Sequence, residues 1–365
     1  MQKTIESPSI LRTWTARDIP KGSRVLVRVD ANVVVKRGIA DVSASGRIAR
    51  SVPEIQKLLK RDARVILVTH FGRPTGHEKK FSVAPLAKAY ATLLGKKVTV
   101  AKDTVGDDAT ECVTAMQPGD VVMLENLRFE NGEEANDATF AKKLAALAEV
   151  YVNNAFGVCH RRHASVVAIT KCLPSFAGEL LVREVAELTR PIERPFMLVV
   201  GGIKMETKLP LLQKLGVHAD EVLVGSATVD ELARHPRLRT TLDKLLGDQL
   251  VVPIDVRRDA DHHAFDVGPK TIAMLSSFFD GARTIIWNGP LGVIEHIAGR
   301  RGTTALIRAI TTAKGVRTVA GGGETVDIIE DLHAADDFTW VSTGGGAMLA
   351  LLAGEKLPGI EVLRA

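Results

Sequence analysis

Short, near-continuous apolar runs punctuate this chain, and most of them end on glycine or on charged residues. In the first half they fall at 25–29, 65–68, 98–100, 121–124 and 150–152. In the second half they fall at 196–200, 221–224, 250–254, 284–287, 317–320 and 338–341. Most are rich in β-branched residues and do not alternate with polar ones, as strands buried on both faces require. Between them the spacing turns helical: in 138–149, Phe140, Leu144 and Leu147 share one face. Alternating units of this kind predict an α/β fold of parallel sheets covered by helices on both faces. Leu181, Val185 and Leu188 predict a helix over 179–188, and Pro191 and Pro195 break the chain after it. The boundary is therefore placed at 178–195, with α/β domains of similar size on either side joined by this helix. No internal repeat or low-complexity tract interrupts them.

The residues after each run carry the chemistry. In the second half, apolar runs lead into Gly201-Gly202, Asn288-Gly289-Pro290, Gly321-Gly322-Gly323-Glu324-Thr325 and Gly344-Gly345-Gly346. Glycine lets the backbone approach a ligand closely, and ligands of open parallel sheets bind outside the carboxyl ends of the strands. Several such turns along one edge predict a cradle for a nucleotide. In the first half the runs lead instead into Asp30 and Asn32, His70 and Arg73, Arg128, and His160-Arg161-Arg162-His163. Arg73, Arg128 and Arg161 follow three different strands, and Arg47 sits near the start of a predicted helix. A parallel sheet gathers such positions on one edge, where guanidinium forks suit phosphate or carboxylate. A lone arginine reads as a solvated surface residue; three at equivalent strand ends, joined by His70, do not. His160 and His163 are poor metal ligands among these arginines. Phosphate contact or proton relay suits His160 better, and loop hydrogen bonding suits His163.

At 365 residues the chain exceeds what one core serves, which agrees with two domains. A formal charge of +5 invites a nucleic-acid partner, but 43 acidic residues are interspersed with 48 basic ones and only 4% of residues are aromatic. That is thin for base stacking, and a pocket for small polyanions accounts for the charge. Cys112, Cys159 and Cys172 lack metal or redox spacing, which fits a reducing cytoplasm. No apolar run reaches 18 residues, so no membrane span is expected, and residues 1–12 lack the apolar stretch of a secretory signal. The Walker A, H-E-x-x-H and G-x-S-x-G patterns are absent. An acid site in one domain and a nucleotide cradle in the other predict phosphoryl transfer on closure of a cleft between them.

These residues resemble the phosphoglycerate kinase family, collinearly and over nearly the whole chain. The matching segments include Arg28-Val29-Asp30-Ala31-Asn32, His70-Phe71-Gly72-Arg73-Pro74, Leu124-Glu125-Asn126-Leu127-Arg128-Phe129 and Tyr151-Val152-Asn153-Asn154-Ala155-Phe156-Gly157. Gly201-Gly202-Ile203-Lys204, Trp287-Asn288-Gly289-Pro290-Leu291-Gly292-Val293, Gly321–Thr325 and Leu357-Pro358-Gly359 continue the match. The resemblance implies two Rossmann-like domains with parallel sheets and a hinge helix. It implies a 3-phosphoglycerate domain at 1–178 with 351–365 packing back on it, a linker at 179–195, and a nucleotide domain at 196–350. It implies transfer between 1,3-bisphosphoglycerate and ADP giving 3-phosphoglycerate and ATP, with Mg²⁺, in a cytoplasmic monomer. Asp30, Asn32, Arg47, His70, Arg73, Arg128 and Arg161 match the acid site. Lys204 matches the lysine on the transferring phosphoryl group; for such a transfer Arg47 and Lys204 would supply the neutralising charge on closure, and the backbone N–H groups of Gly344–Gly346, Gly345 among them, would add to it if a helix begins there. Lys208, Gly225, Asn288, Glu295, Gly322, Gly323 and Thr325 match nucleotide contacts, and Glu324 a Mg²⁺-associated position.

The departures concentrate in the nucleotide half. Val224-Gly225-Ser226 stands where the family has three glycines, Glu324 where it has Asp, and Thr207 where an Asp precedes the second lysine. Asn154 replaces another Asp, and the stretch 232–267 is shorter than in the family. Weaker nucleotide binding or broader base selectivity is the resulting expectation. Two other readings compete with the kinase: a divergent kinase acting on a related phosphorylated or phosphonylated acid, and a catalytically weak paralogue that binds an acidic metabolite.

Overall fold

The computed structural model describes residues 11–43, 46–202 and 205–365. They divide into two compact units, one reaching to Ala186 and including Lys356–Ala365, the other spanning Glu187–Glu355. The division falls inside the helix Glu179–Thr189, whose Leu181, Val185 and Leu188 are buried.

In the first unit the chain forms β1 (Arg24–Arg28), a small hairpin of β2 (Val35–Lys36) and β3 (Ile39–Ala40), then β4 (Arg64–Val68), β5 (Val98–Val100), β6 (Val121–Met123), β7 (Val150–Asn153) and β8 (Ser175–Ala177). The main sheet runs β5-β6-β4-β1-β7-β8 and every pairing in it is parallel. Successive side chains of a strand point to opposite faces, and both faces here are apolar. Val25 and Val27 of β1 pack with Ile48, Ile55, Leu58 and Tyr90 on one side. Leu26 packs with Ile66, Phe140, Leu144 and Ile169 on the other. Burying a side chain of this size is worth about 1.5–3 kcal/mol, so the near-continuous apolar runs and the two helical layers require each other.

The second unit contributes β9 (Phe196–Val200), β10 (Glu221–Val224), β11 (Leu250–Val251), an antiparallel pair of β12 (Val256–Arg258) and β13 (Ala264–Val267), then β14 (Thr284–Asn288), β15 (Arg317–Gly321) and β16 (Trp340–Ser342). Its sheet runs β11-β10-β9-β14-β15-β16, again all parallel. The first strand of this sheet thus lies between the second and the fourth. That is the doubly wound order, with its switch point between β9 and β14, where such sheets take ligands.

Several sequence expectations shift in detail. The run 250–254 is a strand for only two residues, Leu250–Val251, and Pro253 follows, which cannot donate to a ladder. The helix within 138–149 ends at Ala145. Ser175–Ala177, too short to stand out as a run, is the edge strand of the first sheet. No helix among the described residues is long and apolar enough to cross a membrane.

Candidate active site

The carboxyl ends of β1, β4, β6 and β7 lie along one edge of the first sheet, and the polar residues predicted from the sequence follow these ends. Arg47 is the first residue of the helix Arg47–Leu59. Its Nη1 donates to the Asn32 carbonyl at 2.8 Å and lies 3.6 Å from Asp30 Oδ1. Asn32 Oδ1 in turn accepts from Gly72 N at 2.9 Å, so the loops after β1 and β4 are tied together. Arg128 donates through Nη1 to the Gly72 carbonyl at 2.6 Å, and its Nε lies 2.8 Å from Glu134 without hydrogen-bond alignment. Arg161 donates from Nε to His160 Nε2 at 3.1 Å. Arg73 is exposed on the loop after β4.

Fully buried Asn126 fixes this edge. Its Oδ1 accepts from Phe71 N and Arg128 N, both at 3.1 Å, and its Nδ2 donates to the carbonyls of Phe71 and Phe81 at 2.7 and 2.9 Å. One side chain therefore sets the loops carrying His70 and Arg128.

His70 sits at the centre of the arginine field. It is 7% exposed, and its proton affinity falls well below that of an ordinary histidine. Burial is the main cause, and the charges of Arg28, Arg128, Arg161 and Arg47 add to it. Arg128 is itself lowered, first by burial and, against the opposing pull of Glu134, by Arg161, Arg28 and Arg73. Four arginines around one neutral imidazole form a basin that an anion would relieve. Arg28 is not among the site residues predicted from the sequence. Its signal is a charged residue closing the apolar run Val25–Val27, and the structure buries it fully there.

The second unit gathers its glycines at the switch point. A Cβ on Gly201 would lie 2.0 Å from the Pro290 carbonyl oxygen, and one on Gly289 would lie 2.3 Å from that of Gly201. Gly289 also has φ +92°, open mainly to glycine. Gly225 faces the same Pro290 carbonyl, with a Cβ reaching to 3.2 Å. A Cβ on Gly345 would come 3.0 Å from Gly322 Cα, so the turns after β15 and β16 also meet. Helices begin directly from these turns at Ser226, Gly323 and Gly345. The first N–H groups of a helix have no intrahelical partners and suit an anion, although Ser226 N already donates to the Leu291 carbonyl at 2.8 Å.

Lys208 donates from Nζ to Asn288 Oδ1 at 2.6 Å, and Asn288 Nδ2 donates to the Gly321 carbonyl at 2.9 Å. Thr325 Oγ1 accepts from Gly289 N at 2.9 Å. A groove beside them is lined by Ala227, Pro290, Leu291, Val293, Glu295 and Glu324, among others. Burial lowers the Lys208 pKa, against the pull of Glu324. Burial raises Glu324, Glu295 and Asp327 raise it further, and Lys208 opposes them. A carboxylate pushed toward protonation by neighbouring carboxylates fits a hard divalent cation such as Mg²⁺. Lys204 lies outside the described residues. The other predicted nucleotide positions border this switch-point edge.

Two α/β units each have parallel strands ending on a ligand-type edge, one cationic and one glycine-rich, and both edges suit anionic ligands. The family model for phosphoglycerate kinase matches residues 17–235 and 240–355. A phosphoglycerate kinase of Thermomicrobium roseum is 40% identical, covering 96% of this chain and 98% of that protein. That of Dictyoglomus turgidum is 37% identical over 94% and 96%. Among solved structures, phosphoglycerate kinase from Pyrococcus horikoshii OT3 covers 95% of this chain and 96% of its own, with a TM-score of 0.84 at 27% identity. The enzyme from Coxiella burnetii covers 97% and 99% with a TM-score of 0.77 at 31% identity. The chain belongs to the phosphoglycerate kinase family.

Proposed function

We propose that this chain transfers a phosphoryl group reversibly between 1,3-bisphosphoglycerate and ADP, giving 3-phosphoglycerate and MgATP. The arginine field around neutral His70 is the observation that carries this reading, because it suits a ligand bearing both a phosphate and a carboxylate. Arg73, Arg128, Arg161 and His70 take the acid's anionic groups, and Asp30 and Asn32 orient it and Arg47. Lys208, Asn288, Gly322, Gly323 and Thr325 take the nucleotide phosphates, with Gly225 against the base and Glu295 toward the ribose. Glu324 holds Mg²⁺, which supplies positive charge to the nucleotide phosphates when bound.

The acceptor carboxylate is ionised at neutral pH, so no strong general base is needed. Catalysis then rests on positioning and on neutralising charge as the phosphoryl group moves. Arg47 in the first unit and Lys204 in the second supply that charge, and the N–H of Gly345 at its helix start adds to it. A cytoplasmic monomer with these small-molecule partners, and with neither nucleic acid nor membrane, fits this role.

ATP-dependent acyl-phosphate formation from 3-phosphoglycerate, trapped with hydroxylamine, tests the reading. Turnover in the wild type, lost by at least about 10²-fold in Lys204→Ala, is expected on the scale of losing one charge-stabilising group. Turnover with a phosphonate analogue and none with 3-phosphoglycerate would reassign the acid. Binding of the acid without turnover would leave a sensor in place of an enzyme.

A further inference from the structure

A buried chain of polar groups runs back from His70 into the first unit. Arg28 is 0% exposed, and among the described residues no carboxylate lies within ion-pair distance of it. Its three directions are nevertheless used. Nη1 donates to the Val29 carbonyl, Nη2 lies 3.0 Å from His70 Nδ1, and Nε donates to Ser165 Oγ at 3.1 Å. Ser165 passes the contact on, its Oγ donating to Glu133 Oε1 at 2.6 Å and its N to Glu133 Oε2 at 2.9 Å. Glu133 is also 0% exposed, with His163 Nδ1 3.7 Å away. A hydroxyl has one proton and two lone pairs. Ser165 therefore gives its proton to Glu133 and a lone pair to Arg28, bridging two buried opposite charges.

The register explains why these groups meet. Leu26 and Arg28 point to the same face of β1, the face covered by Phe140, Ala164 and Ile169. Ser165 lies in that covering segment, and its carbonyl accepts from Tyr151 Oη at 2.6 Å. An isolated buried guanidinium would be costly, whereas a carboxylate one hydroxyl away offsets it.

The consequence falls on His70. A guanidinium can only donate, so the Nδ1 it meets must offer a lone pair. The proton of the neutral ring is then on Nε2, free for a ligand oxygen. We propose that Ser165 and Glu133 are positioning residues for the acid site: they pin Arg28 against His70 Nδ1 and so keep His70 a neutral Nε2–H donor. This rests on the proposed binding of a phosphorylated acid at His70. Arg28, Arg47, Arg128 and Arg161 face the imidazole, and each disfavours a second proton on it.

The test is ¹⁵N–¹H correlation of the histidine rings in the full chain, assigned with His70→Gln and combined with kinetics from about pH 5.5 to 8. In the wild type, His70 should show an unprotonated Nδ1 and a protonated Nε2 throughout that range. Ser165→Ala and Glu133→Gln should let His70 exchange tautomers and titrate nearer its ordinary value of about 6.5. The KM for 3-phosphoglycerate should then rise roughly tenfold at the alkaline end, the scale of one lost charge-assisted hydrogen bond. The KM for MgATP should stay within about twofold, the scatter between determinations being smaller than the tenfold step sought. Ser165→Thr, which keeps the hydroxyl, should restore the wild-type profile. A wild-type His70 protonated on Nδ1 overturns the proposal even if no variant folds. So does a folded Ser165→Ala with an unchanged tautomer and a flat KM profile. Absence of 3-phosphoglycerate binding in the wild type would sink the functional reading while the ring spectrum still decides the tautomer.

Discussion

A single imidazole shows how burial becomes pH dependence. The folded state holds His70 neutral, while the unfolded chain leaves it with the ordinary value near 6.5. Above that value both states are neutral and the group contributes nothing. Below it the unfolded chain binds a proton that the folded one refuses, so stability falls as pH drops below 6.5. Between about pH 7 and 5.5 the loss from one such histidine is about 1 kcal/mol. His160 acts in the same direction, lowered by burial and then by Arg161. Glu133, by contrast, binds its proton more weakly than an ordinary glutamate. Burial pushes its pKa up, but the neighbouring His163, Arg28 and Ser165 outweigh it. Its own stabilisation is therefore lost only below about 4.5, outside this window. Native-state hydrogen exchange at the β1 and β4 amides should show the acid-side loss in the wild type and a smaller one in His70→Gln. Equal slopes in the two proteins would remove His70 as the cause.

Elements meet where side chains are absent. The loops after β9 and β14 pass so closely that Gly201 and Gly289 each face the other loop's carbonyls. Gly201 N donates to the Asn288 carbonyl at 2.9 Å and Gly202 N to that of Pro290 at 3.0 Å, so neither loop can retreat cheaply. A methyl at Gly201 would meet backbone, which does not rotate away. Gly201→Ala should destabilise the second unit by about 3 kcal/mol, at the upper end of overpacking costs. Nucleotide affinity should fall with it, while 3-phosphoglycerate binding to the first unit is kept. Calorimetric titration of each ligand, with a thermal scan of the variant, checks this; unaltered nucleotide binding would mean that the loops can part.

The same physics decides which elements can be read from the sequence. Parallel strands buried on both faces leave continuous apolar runs, so most strands of both sheets stand out from the composition of short windows. Strand-end chemistry is legible for a related reason: an apolar run that stops on Arg, His or Gly marks the edge where a parallel sheet presents ligands. The hairpins β2–β3 and β12–β13 are only two to four residues per strand, below the length at which a period can be counted. Asn126, Ser165 and Glu133 escape because their importance lies in partners 32 to 137 residues away, as in Ser165 with Glu133 and Arg28. A one-dimensional pattern holds no trace of such pairs.

At the scale of the molecule, among the described residues the chain crosses between its units within Glu179–Thr189 and again on returning at Lys356. The returning segment is short but well anchored in the first unit. Leu357, Ile360 and Leu363 are buried there. Arg12 N donates to the Leu363 carbonyl and Gly359 N to that of Cys159, both at 2.9 Å. A Cβ on Gly359 would lie 2.9 Å from Cys159 Cα, so backbone packs on backbone. Each buried apolar side chain is worth about 2 kcal/mol, so the three together supply roughly 6, a large share of the 5–15 kcal/mol typical of a whole domain. Removing Lys356–Ala365 should therefore unfold or strongly loosen the first unit while sparing the second. Hydrogen exchange on the truncated chain should lose protection in β1, β7 and β8 and retain it in β9, β14 and β15. Retained protection in both units would show that the segment only covers a surface that is stable without it. Equal loss in both would show instead that the two units fold as one, with the returning segment as their shared last step.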